Sequence, residues 1–161
     1  MKRLFVILPV VAVVVGFLVW WLSPTQQVKR QTGKLMKTLT VEQGTSPAVR
    51  QLGGYSLNGL IAKELILETP TISEANGTFE REQIETGFSW MVGQAKFTKF
   101  KVRDFETVEV NGTRAKVTAI IEGTVAFALY RPVDGPYRVE MDWEKEEDGW
   151  HLSRAKWTES R

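Results

Sequence analysis

From Phe97 to Trp157 apolar and polar residues alternate with a period of two, and this alternation constrains the fold more than any other feature. Phe100, Val102, Val108 and Val110 share one parity. Asn111-Gly112 follows, and because both residues tolerate positive φ the pair predicts a tight hairpin. Ala115, Val117, Ala119, Ile121, Val125, Phe127 and Leu129 then share one face of a second long strand. Gly123 lies on that face and predicts a bulge or bend. After a loop with Pro132, Asp134-Gly135 and Pro136, Tyr137, Val139, Met141 and Trp143 alternate with Arg138, Glu140, Asp142 and Glu144. Asp148-Gly149 makes another turn, and the last strand runs from Trp150 to about Trp157. Four long strands joined by hairpins form a bent antiparallel sheet, one face of which must be covered by helices.

The residues before Phe97 supply those helices. Val28, Leu35, Met36 and Leu39 make one apolar stripe on a helix opened by Pro24-Thr25 and stopped by Gly44. Ser46-Pro47 reads as an N-cap followed by proline at the first helical position, and Gly53-Gly54 end that short helix. Ser56 opens a further helix carrying Leu57, Leu60, Ile61 and Leu65. Leu65–Ser73 reads as a short edge strand, because Pro70 cannot donate to a ladder. Thr78 caps the next helix, with Glu80 and Glu82 in the first turn where negative charge suits the helix dipole. Its face of Ile84, Phe88, Met91, Val92 and Ala95 packs on the sheet.

Ahead of all this, residues 4–22 read LFVILPVVAVVVGFLVWWL and carry no charge. A helix of this length matches the roughly 30 Å hydrocarbon core of a bilayer. Bulky Trp20 and Trp21 stand where a signal peptidase needs small residues, and paired Trp suits a membrane interface. Residues 1–23 are therefore expected to form a single retained transmembrane anchor, with Leu4, Phe5, Trp20 and Trp21 in contact with lipid. Residues 24–161 are expected to form the domain. Positive charge flanks the run on both sides (Lys2 and Arg3 before it; Lys29, Arg30, Lys34 and Lys37 after it). A basic tip, an apolar run and a downstream domain resemble a bacterial signal anchor. That places the domain outside the inner membrane, in the periplasm. The chain has no Cys, which excludes lipoprotein processing.

Setting aside Lys2 and Arg3, 19 Lys and Arg balance 19 Asp and Glu, so nothing in the charge points to nucleic acid. The basic residues Lys29, Arg30, Lys34, Lys37 and Arg50 lie next to the apolar run, where anionic headgroups attract them by up to about 1 kcal/mol each.

Three helical segments, with a short strand before the third, then four long strands ending in "VEVNGTRAKVTAIIEG" and "YRVEMDWEKEEDGWHLSRAKW", resemble the nuclear transport factor 2-like superfamily, also called the SnoaL-like or cystatin-like cone fold. The Gly149-Trp150-His151-Leu152 stretch is similar to that family's closing strand. The resemblance covers roughly residues 25–158. It implies an α+β domain in which helices pack on a curved antiparallel sheet around a pocket. Enzymes of the superfamily, among them isomerases, dehydratases and cyclases, hold Asp, His, Tyr or Arg inside the cone, and their acid–base chemistry needs such groups tuned by an apolar pocket.

Most inward parities here carry no ionisable group. His151, the only His, sits opposite Trp150 and Leu152 and is expected at an exposed or edge position. Regular alternation would point Asp104 and Glu106 to the side of Phe100, Val102, Val108 and Val110; a bulge near Phe105, the favoured reading, puts Phe105 inward and the acids outward. Arg154 and Lys156 share parity with Trp150 and Leu152 and are expected at the cone rim. Asp104 or Glu106 with Arg154, beside Trp143, is therefore the candidate polar end of a ligand pocket. No catalytic residue, cofactor or metal is assigned, since one His without Cys or spaced carboxylates makes no ligand set. On the outer parity, Ile120, Ala126 and Ala128 interrupt polar residues, which predicts at most a weak homodimer. The expected function is a membrane-tethered module that binds an apolar small molecule or a protein. The alternative is a SnoaL-type enzyme acting on a hydrophobic substrate.

Overall fold

Residues 95–159 form the four long strands that the alternation requires: β3 (Ala95–Asn111), β4 (Arg114–Phe127), β5 (Val133–Glu146) and β6 (Gly149–Glu159). The computed structural model describes residues 4–70, 73–128 and 133–160, so Leu129 and Pro132 lie outside the described residues. Before β3 come α1 (Leu4–Trp21), α2 (Pro24–Leu39), α3 (Pro47–Asn58), β1 (Ile61–Glu68), β2 (Gly77–Glu80) and α4 (Arg81–Gln94). The six strands make one sheet in the order β2-β1-β6-β5-β4-β3. All neighbours are antiparallel except β1 and β6, which are parallel, so the sheet is mixed rather than purely antiparallel.

The start of α3 follows its expected cap at Ser46, whereas α2 is capped by Ser23 and ends at Leu39, short of the expected stop at Gly44. Ser23 Oγ accepts from the Gln26 N–H, and Ser46 Oγ accepts from the Val49 N–H, each followed by proline in the first turn. Two further helix readings change. α3 runs through Gly53-Gly54 instead of stopping there, and Ser56 lies inside it. A Cβ on Gly54 would meet Ser89 Oγ at 2.6 Å, and one on Gly53 would meet Phe88 Cε1 at 3.4 Å. The pair lets α3 and α4 approach closely, and this tertiary contact outweighs the intrinsic cost of glycine. Second, α4 begins at Arg81, and Thr78 lies in β2. Glu80 is the N-cap, and its N–H donates to Gln83 Oε1 at 2.8 Å.

β1 differs too. Ile61 and Leu65, expected on a helix, lie on it, and it sits between β2 and β6 rather than at an edge. Pro70 follows the strand and leaves its ladder intact.

The core lies between the concave sheet face and α2 and α4. Val28, Leu35 and Met36 of α2 and Phe88 and Val92 of α4 pack with Val117, Ile121, Val139, Met141, Trp143, Trp150 and Leu152. Burying each of the larger aliphatic side chains is worth about 1.5–3 kcal/mol. Arg50 clasps this assembly from α3. Its guanidinium donates to the carbonyls of Thr45, Val92, Ala95 and Lys96, joining the loop before α3 to the end of α4 and the start of β3.

α1 occupies the segment expected to span a membrane, and its side chains are described from Val13. Among the described residues no helix is long and apolar enough to cross a membrane, so the spanning anchor is not shown. Phe17, Trp20 and Trp21 form an aromatic cluster at the end of α1, with ring centroids 5.9–6.4 Å apart. Leu4 and Phe5 have no described side chains.

Candidate functional site

Three bulges decide which side chains face the cone. On β3, Val102 pairs with Ile121 but Asp104 pairs with Ile120, and Phe105 pairs with Ala119 but Thr107 pairs with Thr118. Arg103 and Glu106 are the extra residues. Parity flips twice, so Phe105 packs against the core while Asp104 and Glu106 are exposed. The bulge expected near Phe105 is present, as a pair. On β6, Leu152 pairs with Trp143 but Arg154 pairs with Asp142, which makes Ser153 the extra residue. Beyond it Ala155 and Trp157 turn inward, and Arg154 and Lys156 turn to the outer face. This overturns their expected place at the inner cone rim.

Gly123 is not a bulge. The β4 register is continuous on both sides of it. A Cβ there would meet the Phe100 ring at 3.1–3.2 Å, so the glycine makes room for Phe100. That ring packs edge-on to Trp157, which packs edge-on to Tyr137. Burial, helped by Glu159 and Asp134, pushes the Tyr137 hydroxyl above its ordinary pKa.

The inward positions are filled. Trp143 and Trp150 are each 1% exposed, and their indole N–H groups find no partner among the described residues. Of the residues expected to form a ligand pocket, Trp143 is thus a core side chain.

Polar chemistry gathers on the outer face instead. Arg154 donates to Glu68 Oε1 through Nη2 (2.7 Å) and Nε (3.1 Å), and its Nη1 lies 3.5 Å from Asp142 Oδ2. The paired Arg154 holds the Glu68 carboxyl below its usual range, and Glu68 in turn raises Arg154. Arg138 donates to Glu106 at 2.8 Å and to Glu140 at 3.0 Å, and Glu106 raises its pKa. Glu106 is therefore committed to Arg138, and the expected pairing of Asp104 or Glu106 with Arg154 does not form. Arg138 also lies opposite Ile120, so the outer apolar patch is bordered by charge. Exposed pairs of this kind add little stability singly, typically below about 1 kcal/mol. They do pattern a surface.

Part of that surface is an open groove of about 910 Å³. One wall carries Ile66 and Thr78, the other Arg114 and Lys116, and Asp142 and Arg154 lie between them. The groove touches Arg154 and Trp143, and excludes Asp104 and Glu106. Sequence parity missed it because the Ser153 bulge leaves no compositional mark.

His151 also departs from expectation. It faces outward but is only 2% exposed. Its Nε2 lies 2.8 Å from Asp148 Oδ1, and this contact holds the Asp148 carboxyl low. Glu146 brings a third ligand-type atom within 4.8 Å of the other two, a cluster that sequence spacing did not suggest.

Helices packed on a curved mixed sheet, with a filled interior and a charged outer face, make a fold similar to that of nuclear transport factor 2-like proteins. Solved structures carry that likeness. A candidate dehydratase of the nuclear transport factor 2-like family from Streptomyces avermitilis superimposes with a TM-score of 0.64 at 13% identity, over 85% of this chain and 96% of its own. A candidate aromatic ring hydroxylase from Novosphingobium aromaticivorans gives 0.68 at 12% identity, over 85% and 89%. The S. rosetta CaMKII hub gives 0.63 at 18% identity, over 86% and 98%. At these identities the likeness establishes the fold. No family model matches the sequence, and no curated protein matches it.

Proposed function

We propose that the chain is a membrane-tethered binding and scaffold module that engages a protein partner through the outer face of its sheet. In this reading residues 1–23 are a single-pass anchor, with Leu4, Phe5, Trp20 and Trp21 toward lipid. Residues 24–161 stand on the periplasmic side of a bacterial inner membrane. The observation that carries the binding reading is the separation of chemistry between the two sheet faces. Apolar side chains fill the cone, and the ionisable groups of the outer-face clusters point away from it. Acid–base catalysis inside a cone requires an inward acid or base; Tyr137 on the inner face has its hydroxyl pushed up by burial, and Lys29 of α2 lies over the inward Phe105 ring at 5.3 Å, with no carboxylate or His beside either in the core cluster among the described residues. The names dehydratase and hydroxylase carried by two neighbours therefore do not transfer.

Two further observations support the tether and the assembly. The described side chains of α1, Val13 to Trp21, are apolar or glycine, and its large ones are 46–70% exposed; an apolar surface of this kind needs lipid or protein around it. Two neighbours are named a hub and an association domain, and mixed charge across one face suits pairing with a second copy. The test is photo-crosslinking of the full chain in membranes, with the probe at Ile66 in the groove or at exposed Glu82 on α4. Adducts from Ile66 alone are expected, at twice the chain mass or with another protein. Adducts from Glu82 with none from Ile66 would sink the reading. Protease accessibility in spheroplasts checks the side of the membrane.

A further inference from the structure

We propose that the tip of the β5–β6 hairpin is a divalent-metal site formed by Glu146, Asp148 and His151, suited to zinc. The tight turn at Glu147-Asp148 folds Asp148 back over His151, and register places His151 and Glu146 on the same face, two residues apart along the ladder. The three ligand-type atoms lie within 4.8 Å of one another. Two atoms bound to one ion at about 2.1 Å, at angles between 90° and tetrahedral, sit roughly 3.0–3.4 Å apart. The existing 2.8 Å between His151 Nε2 and Asp148 Oδ1 needs a few tenths of an ångström of opening, and the exposed Glu146 carboxylate, within 4.8 Å of both, swings in to complete the set.

The second observation is His151 itself. Its imidazole is 2% exposed and aims Nε2 at Asp148, and its Nδ1 has no partner among the described residues. One imidazole with two carboxylates suits zinc and neighbouring first-row ions better than magnesium or calcium, which prefer oxygen alone. Water would complete the coordination. With the ion on Nε2, the Nδ1 proton lacks the acceptor that sharpens many zinc sites. Micromolar affinity is therefore expected, roughly 10–100-fold short of a fully supported site. Glu146 also lines the outer-face groove, so the ion would stand at one end of it.

Zinc alone is titrated into the tag-free full chain in detergent, with calorimetry and melting as readouts. Cobalt absorption spectra report nitrogen and oxygen ligation independently. One equivalent should bind, raise the melting temperature and give a structured cobalt spectrum. Glu146→Gln and Asp148→Asn change exposed side chains and should fold; each should weaken zinc at least about 10-fold. Glu64→Gln, in the groove but away from the tip, should bind as the parent does. Arg81→Gln removes the cation whose field reaches Asp148 and should tighten binding. Absence of saturable binding below about 1 mM, or equal affinity in Glu146→Gln, Asp148→Asn and the parent, would overturn the site.

Discussion

Arg50 is the side chain whose loss should cost the domain most for its size. Its guanidinium donates to four carbonyls, at 3.0 Å to Thr45, 2.7 Å to Ala95 and 3.1 Å to Lys96, with Val92 the fourth. Val92 is in the last turn of α4, where carbonyls lack helical partners and the dipole favours a cation. A hydrogen bond to a charged group nets about 1.5–3 kcal/mol. Four at the lower figure, with water replacing half because Arg50 is part-exposed, give about 3 kcal/mol for Arg50→Met. In a chain of this size that is about 6–12 °C of melting temperature. Arg50→Lys keeps the charge but not the fork, and should lose about half as much. Urea unfolding of the full chain in detergent, followed by Trp signals, measures both. Lys34→Met, an exposed cation on α2, is the control and should stay within about 0.5 kcal/mol. An Arg50→Met protein as stable as that control would refute the clasp.

Gly123→Ala should destabilise by about 1–3 kcal/mol through the Phe100 contact, and Phe100→Leu should recover part of it in a double mutant. Gly54→Ala should be destabilising, since its Cβ would strike Ser89 Oγ. Gly33→Ala has open space and should stabilise by up to about 1 kcal/mol; equal effects at the two glycines would refute the helix-contact reading. The folded carboxyls of Glu68 and Asp148 are held low by Arg154 and His151, so their contribution is present above the ordinary carboxylate range near pH 4. It is lost as pH falls through the lowered values, and Glu68→Gln should flatten acid destabilisation in pH-dependent urea titrations. Tyr137 has the opposite sign: its raised pKa stabilises below about pH 10 and is lost above it, so Tyr137→Phe should melt less steeply with alkali than the parent.

Much of the fold was readable because its signals are local. Pro24 opens one helix and Ser46-Pro47 caps and opens another, and Asn111-Gly112 and Asp148-Gly149 turn hairpins through glycines at positive φ. What escaped depends on distant partners. Gly53-Gly54 read as a stop until α4 is packed against them. β1 read as the end of a helix up to Leu65 and as a short or edge strand beyond it, and no periodicity in residues 61–68 names β6 as its parallel neighbour. The Ser153 bulge inverted the candidate site: one inserted residue carried Arg154 and Lys156 from the presumed pocket to the outer face. The outward turn of Asp104 and Glu106 was readable, because Phe105, a large apolar residue between two acids, marks which way the strand must turn, but their expected pairing with Arg154 failed with the Ser153 bulge.

The junction after α1 has a mechanical consequence. Only Leu22 and Ser23 separate α1 from α2, and the Gln27 amide donates to the Leu22 carbonyl while Arg30 donates to Trp21 and stacks on its ring at 4.6 Å. A disordered linker lets a domain search a volume that grows with linker length. Here two residues and these contacts join the helices, which leaves α2 little room to swing independently of α1. If α1 is held in a bilayer as proposed, the groove would be offered at one height and one bearing. Partners would then be selected by where they stand as well as by what they carry.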